Sequence, residues 1–441
     1  MKLFGTQKDK TGCRFYFLGM KVYEKVKSKE VKRTKVLGIC IRKKRLTPPT
    51  VDYSTLLKRI EWRDRLHAAE QKILTLSLFY KDLPAEQRYI LCFDHLGNHR
   101  TEAIDAWSFF QFLQKNGVPS KYAILRNNSL FKELQKENNL DDILPVTNEL
   151  ELLTNYPEII AQSRAVMSSF GFDISRIFKQ LPLTKYIFIE HGVVLLKEWC
   201  ATGHYTEDLF DGKIVPTSLT KAFYERIGYG LKSCKKYYCG LPRWDRLKPA
   251  DKERKDRKIF IFFTFRESFK QNPSTRKEYI KRIQSFVNKL GNIFDGTNVH
   301  LYLSTHHYMF LQDSGFNPSQ IKGINIIPTT EISRMTMDAD LCVTDFSSIG
   351  FDFIYRNVPV IYYCFDADVN YPSQNDRIAL IADSIDRHLY NCCRDEKSAI
   401  ETIQHYAKRD FELEDELKAR NKSIFWEDGE TCRKLLALIS E

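Results

Sequence analysis

From about residue 88 onward, short apolar runs alternate with stretches in which apolar positions recur every three or four residues. The runs are Tyr89–Phe93, Tyr122–Leu125, Ala165–Ser168 and Tyr186–Ile189, then Ile259–Phe263, Val299–Ser304, Leu341–Thr344 and Val360–Tyr363. Strands alternating with helices are the pattern of βαβ units, and therefore of parallel sheets. Several runs are apolar throughout, as a strand is when helices cover both faces of its sheet. Two groups of runs predict two such sheets. Between them, after Tyr238-Cys239-Gly240, lies the charged stretch Lys248–Lys258, which suits a connection between domains. The boundary is placed near residue 250, giving domains 51–249 and 250–441. Two further helical patterns, Glu412–Arg420 and Thr431–Ile439, close the chain and are free to pack back on the first domain.

The chain before residue 88 has a different texture. Leu56, Leu57, Ile60, Trp62, Leu66, Ile73, Leu74 and Leu76 predict an amphipathic helix over 54–80 that leads into the core. Ahead of it, Pro48-Pro49 marks a linker near residue 50, because proline lacks a donor and disfavours helix before it. A weak repeat precedes the linker: Phe17-Leu18-Gly19-Met20-Lys21-Val22-Tyr23 is echoed 19 residues later by Val36-Leu37-Gly38-Ile39-Cys40-Ile41-Arg42. Each copy is a short strand-like apolar patch among lysines.

Charge changes the picture of this first segment. Residues 1–50 hold 15 Lys and Arg against 3 Asp and Glu, which accounts for the whole net charge of +12; the other 391 residues are neutral. The basic pI thus describes one segment and not a nucleic-acid-binding body. Its partner should be anionic. At 441 residues, with 43% hydrophobic and 13% aromatic residues, the chain is globular and long enough for two or more domains. Neither an 18-residue apolar run nor an apolar leader occurs, so the sequence predicts a chain that neither spans a membrane nor is exported. Eleven cysteines without CxxC or Cys/His ligand spacing predict reduced cytoplasmic thiols rather than disulfides or a zinc site.

Candidate chemistry collects at the ends of the predicted strands. After the strand ending at Thr344 comes Asp345-Phe346-Ser347-Ser348, then a helix carrying Asp352. In open α/β sheets ligands bind at the carboxyl ends of strands, and a helix N-terminus attracts phosphate, so Ser347 and Ser348 are candidates for a diphosphate. Taken alone, the two serines would be helix caps. His191-Gly192 follows the strand ending in Glu190, a position that suits a general base at neutral pH, although a lone strand-end histidine is more often structural. His306 repeats the arrangement in the second half. Arg243, in Gly240-Leu241-Pro242-Arg243-Trp244-Asp245, and Arg266, in Phe263-Thr264-Phe265-Arg266, are cations placed after apolar strands, open to anion binding or to ion pairing. Asp366-Ala367-Asp368 has DxD spacing and reads as a loop feature rather than a metal site.

Together these motifs resemble the CDP-glycerol glycerophosphotransferases, the teichoic-acid and capsule polymerases and primases of bacteria, over residues 88–440. His191-Gly192 with Leu196-Lys197 is similar to the family's W-H-G-T-P-L-K, and Gly240–Asp245 to G-Y-P-R-N-D. Phe263–Arg266 is similar to P-T-W-R, Thr305-His306 to the L-H of K-L-H-P, and Val343–Phe353 to I-T-D-Y-S-S-x-x-F-D-F. Asp428-Gly429 stands where the family has a D-G before its last helix. The sequence departs at Glu190, where the family has Trp, and lacks Thr-Pro in the same motif. It also carries Ser304 and His307 for Lys and Pro, and Asn375-Asp376-Arg377 where R-G is usual.

The resemblance implies a GT-B fold, two Rossmann-like domains with a cleft between them, and the donor in the second. It implies His191 and His306 as catalytic residues, and Arg243, Arg266, Thr344, Asp345, Ser347, Ser348 and Asp352 as donor-binding. Gly97, Gly192 and Lys197 fall on the acceptor side. The implied reaction moves a phospho-alcohol, glycerol phosphate or another, from a CDP-alcohol to a hydroxyl of a polymer or lipid-linked glycan, with release of CMP and with no metal or other cofactor. Residues 1–50 would hold the enzyme on the anionic inner face of the cell membrane. Two other readings stand beside it: a GT-B glycosyltransferase using a nucleotide sugar, and a noncatalytic basic protein that binds membrane surfaces or nucleic acid.

Overall fold

Each of the eight apolar runs lies in a strand, to within one residue, in a computed structural model of the chain. The structure describes residues 53–96, 104–169, 175–190, 192–193, 195, 209–227, 234–249, 251, 253–264, 266, 273–305, 321–367, 391–426 and 429–440, together with the backbone of five strands between residues 4 and 45. The chain forms two compact units, Met1–His67 and Ala68–Glu441.

The first unit holds strands β1 (Phe4–Asp9), β2 (Gly12–Phe17), β3 (Met20–Lys27), β4 (Val31–Val36) and β5 (Ile39–Arg45), each antiparallel to the next. The sequence repeat is a repeat of strand pairing. β2 meets β3 at Phe17↔Met20 with a register shift after Phe15, and β4 meets β5 at Val36↔Ile39 with the equivalent shift after Thr34. The helix Tyr53–Phe79 follows. Only part of it fits the predicted amphipathic pattern: Ala69, Ile73 and Ser77, four residues apart, are buried, whereas Leu57, Ile60 and Trp62 are exposed.

The second unit carries two parallel sheets. The first comprises β6 (Tyr89–Phe93), β7 (Ser120–Leu125), β8 (Ile143–Val146), β9 (Ser163–Ser168), β10 (Lys185–Phe188), β11 (Gly212–Ile214) and β12 (Lys235–Tyr237), in the order β12-β11-β10-β9-β6-β7-β8. The second comprises β13 (Arg257–Phe263), β14 (Val299–Thr305), β15 (Ile324–Ile326), β16 (Leu341–Thr344), β17 (Val360–Tyr363) and β18 (Cys392–Cys393), in the order β15-β14-β13-β16-β17-β18. Both orders run outward from a first strand, return beside it and continue the other way. Each therefore has one switch point where a crevice opens at the carboxyl ends, between β6 and β9 and between β13 and β16. The strands absent from the hydrophobic pattern are two to four residues long, and all lie at an edge of their sheets except β11, which lies next to one. β8 contains Pro145, tolerated because an edge strand has a side that needs no donor.

Packing joins the halves. One buried cluster runs from Val193, Val215, Phe223 and Trp244 to Phe260, Phe346, Phe353 and Ile424. The last helix, Thr431–Ser440, puts Cys432, Leu435 and Ile439 into the core of the first sheet. Its N-terminus is capped by Asp245, whose carboxylate accepts from the amides of Thr431 at 2.9 Å and Cys432 at 2.7 Å. None of the eight cysteines from Cys92 to Cys432 among the described residues is in a disulfide. No helix among the described residues is long and apolar enough to cross a membrane.

Candidate active site

At the switch point of the second sheet the Asp345 carboxylate is fully buried and accepts from four groups. These are the Thr264 amide at 3.0 and 3.1 Å, Thr264 Oγ1 at 3.0 Å, Tyr279 Oη at 2.8 Å and Arg266 Nη1 at 2.8 Å. Arg266 also donates through Nε and Nη2 to Asp366 at 3.0 and 3.1 Å and packs against the rings of Tyr279 and Phe346, 5.0 and 4.8 Å from their centroids. Thr344 Oγ1 donates to the Phe262 carbonyl at 2.7 Å. Thr344, Asp345 and Arg266 thus use polar groups on their neighbours and fix the shape of the turn that follows. On that turn Ser347 Oγ accepts from the Ile349 amide at 3.3 Å, and Ser348 is half-buried. The helix after it, Gly350–Tyr355, is only six residues long, so it adds little dipole at the turn.

The first sheet repeats the device. Asp94, one residue beyond β6, accepts from Tyr122 Oη at 2.9 Å, from Ser169 Oγ at 2.7 Å and from the amides of Ile104, Ala106 and Trp107 at 3.0 to 3.2 Å. It caps the helix Asp105–Lys115 from a distance in sequence.

Beyond β10 the chain turns sharply at Glu190, whose φ is +54°, a left-handed conformation costing a residue with a Cβ about 1–2 kcal/mol. Its carboxylate is 1% exposed and lies 2.8 Å from Lys213 Nζ, itself 6% exposed, on the neighbouring strand β11. Tyr224 Oη donates to the same carboxylate at 3.3 Å, and the rings of Tyr224 and Phe188 lie 4.6 and 5.6 Å from the ammonium. Burial pulls the Lys213 ammonium down, and the Glu190 carboxylate more than offsets this, leaving it well above its ordinary value.

Two contacts join the halves at these carboxyl ends. Gly192 lies against the serine turn so closely that an added Cβ would be 2.5 Å from Ser348 Oγ and 3.0 Å from Ser348 Cβ. Arg243, in the turn Pro242–Arg246, donates from Nε and Nη2 to Asp352 at 2.8 to 3.1 Å and from Nη1 to Asp105, while Trp244 Nε1 donates to Asp352 at 2.6 Å. Burial pushes the Asp105 carboxyl up to about 7; Arg243 opposes this shift, and Asp94 and Asp352 add to it. Beside this tie a cavity of about 420 Å³ opens between Ile104, Trp107 and Asn128 on one side and Ile332, Met337 and Ile349 on the other.

The structure therefore sets Gly192 against Ser348, next to Ser347, and joins Arg243 to Asp352, while Thr344, Asp345 and Arg266 hold the start of the serine turn. His191, His306, Gly97 and Lys197 lie outside the described residues, as do Asp368, Asp428 and 375–377. Asp366, the other member of the DxD pattern, is engaged by Arg266.

Residues 130–441 match the family described as CDP-glycerol:poly(glycerophosphate) glycerophosphotransferase. The chain belongs to this family of transferases. A curated relative, the minor teichoic acid biosynthesis protein GgaB of Bacillus subtilis (strain 168), is 23% identical over 339 residues, which cover 71% of this chain and 35% of that one. The chain thus spans about a third of the length of this relative. Among solved structures, a variant of the wall teichoic acid polymerase TagF aligns over 89% of this chain and 98% of its own at 13% identity, with a TM-score of 0.60. The same polymerase soaked with CDPG aligns over the same shares at 12% identity, with a TM-score of 0.59. The fold is the GT-B type, as the two Rossmann-like strand orders require.

The sequence motifs did not point to Asp94, Asp105, Lys213 or Tyr279, and Thr264 lay inside the Phe263–Arg266 motif without a role of its own. Asp94 carried a signal, an acid directly after an apolar strand and ahead of a helix. Lys213 carried none, because a lysine between Gly212 and Ile214 reveals its burial only when the strands are paired.

Proposed function

We propose that the chain transfers glycerol phosphate from CDP-glycerol to a hydroxyl of a polymer or lipid-linked glycan acceptor and releases CMP. The observation that carries this reading is the close approach of Gly192 to Ser348, because it joins the segment holding His191 to the donor turn across the carboxyl ends of both sheets. Family membership supports CDP-glycerol over a nucleotide sugar as donor. His191 takes the proton of the acceptor hydroxyl. The hydroxyl oxygen then bonds to the phosphorus beside the glycerol as the bond from that phosphorus to the bridging oxygen breaks, and the pair of electrons leaves with CMP. Ser347, Ser348 and His306 hold the diphosphate and the charge that develops on the leaving group. Arg243 and Asp352, each engaged by the other, brace the cleft in this reading, and Thr344, Asp345 and Arg266 shape the donor turn. Gly97 and Lys197 belong to the acceptor side.

The test is CMP release with CDP-glycerol, CDP-ribitol and CMP- or UDP-sugars as donors. CDP-glycerol should be turned over with phosphorus appearing in the product. His191→Ala should lower turnover by about 10²–10⁴ while donor binding persists. Replacing Ser347 and Ser348 by Ala should weaken donor binding by roughly 1–3 kcal/mol. Turnover of a sugar donor without phosphorus transfer would replace this reading with a glycosyltransferase.

Residues 1–50, with their net +12, are proposed to hold the enzyme on the anionic inner face of the cell membrane, each basic residue adding about 1 kcal/mol. A chain with the lysines of residues 21–44 changed to Gln should lose salt-sensitive binding to anionic liposomes and keep activity on a soluble acceptor analogue. Equal sedimentation of both chains with such liposomes would remove this role.

A further inference from the structure

We infer that the buried pair Glu190–Lys213 is the positioning device of the transfer, setting the path of the chain between Ile189 and Gly192, the span that carries His191. The inference rests on the reading of His191 as the base. Glu190 stands where the family has Trp, so the device belongs to this chain and not to the motif. Its geometry is specific. The strand ends at Phe188, Ile189 and Glu190 are almost wholly buried, and Glu190 adopts a left-handed backbone at φ +54° that only a strong tertiary restraint holds in a residue with a Cβ.

The restraint is the side chain. Its carboxylate is fixed 2.8 Å from an ammonium on β11, and that ammonium is boxed by the rings of Phe188 and Tyr224. Tyr224 also donates to the carboxylate, so three elements grip one residue: β10, β11 and the helix Ser218–Ile227. Two residues further on, Gly192 fits against Ser348 with no room for a methyl group. The span is therefore pinned at both ends, at Glu190 by charge and at Gly192 by contact. Releasing the first pin leaves the span that carries His191 held at Gly192 alone. Misplacement of about 1 Å is enough to cost on the order of 10²-fold in rate.

A double-mutant cycle on the full chain tests this, with CMP release from CDP-glycerol as the readout. Glu190→Gln should lower kcat at least tenfold and leave the KM for donor within about twofold. Lys213→Arg should recover more activity than Lys213→Met. Glu190→Gln combined with His191→Ala should be no slower than His191→Ala alone, because the first residue acts through the second. If the two losses multiply, Glu190 acts independently of His191 and the proposal is overturned while the base assignment stands. If His191→Ala alone is near normal, the base assignment falls and the inference with it.

Should Glu190→Gln fail to fold, the pair Glu190→Gln with Lys213→Met leaves no unpaired buried charge and takes its place in the cycle. Hydrogen exchange keeps the test independent of the donor. Peptides covering 187–195 should exchange at least tenfold faster in the Glu190 variant, with the strands of the second sheet unchanged. Unchanged exchange and unchanged kcat would each overturn the proposal.

Discussion

Arg243 donates to Asp352 from both Nε and Nη2, and this pair is the fastening between the connection out of the first sheet and the helix that follows the serine turn. Each nitrogen of the guanidinium faces a carboxylate, Asp352 or Asp105. A group so engaged acts as a brace.

The brace should dominate stability at the cleft. Arg243→Met leaves two buried carboxylates without their cation, and removing one partner of a buried pair costs about 3–5 kcal/mol. Urea unfolding of the variant against the parent measures this. A loss below about 1 kcal/mol would mean the carboxylates find other partners.

Asp105 should make stability depend on pH. Its folded value, about 7, lies above the ordinary 3.8, so the folded chain keeps a proton that the unfolded chain has released. Its contribution is full below about pH 4 and is lost as pH rises through 7, at roughly 1.4 kcal/mol per pH unit at most. Stability measured by denaturant between pH 5 and pH 8 should fall more steeply in the parent than in Asp105→Asn. Equal slopes would show that the carboxyl does not titrate there.

The contact at Gly192 should be sterically strict. Gly192→Ala places a methyl group 2.5 Å from Ser348 Oγ, so the loop or the turn must shift. CMP release should fall on the order of 10²-fold with overall stability little changed. Adding Ser348→Gly removes the opposing side chain and should restore the loop position while leaving donor binding weak. A Gly192→Ala enzyme with full activity would mean that the two segments separate during turnover.

Asp245 should govern the last helix. Asp245→Ala removes the cap on Thr431 and Cys432 and should cost about 0.5–2 kcal/mol. Faster hydrogen exchange in residues 431–440 would place the effect there. Gly240 supports the same junction, because an added Cβ would lie 2.7 Å from Thr431 Oγ1.

The hydrophobic pattern by itself determined the two parallel sheets, the eight central strands and the position of the serine turn after β16. It could do so because a strand covered on both faces must be apolar along its whole length. Ordered motifs determined the family, and composition located the charge in residues 1–50. The short outer strands escaped because two to four residues carry no period. The helix over 54–80 was legible as a helix, but its buried side was not, since Leu57, Ile60 and Trp62 are as apolar as Ile73 and only packing separates them.

Tertiary structure alone decided the partners of the charged residues. Arg243 and Arg266 looked equally suited to a phosphate or to an ion pair, and the choice depends on which carboxylates the fold brings within 3 Å: Asp105 and Asp352 for one, Asp345 and Asp366 for the other. Those partners are 79 to 138 residues away in sequence, so no local pattern encodes them. The same holds for Glu190 and Lys213. Burial of a charge is permitted only by its partner, and the partner is a property of strand pairing.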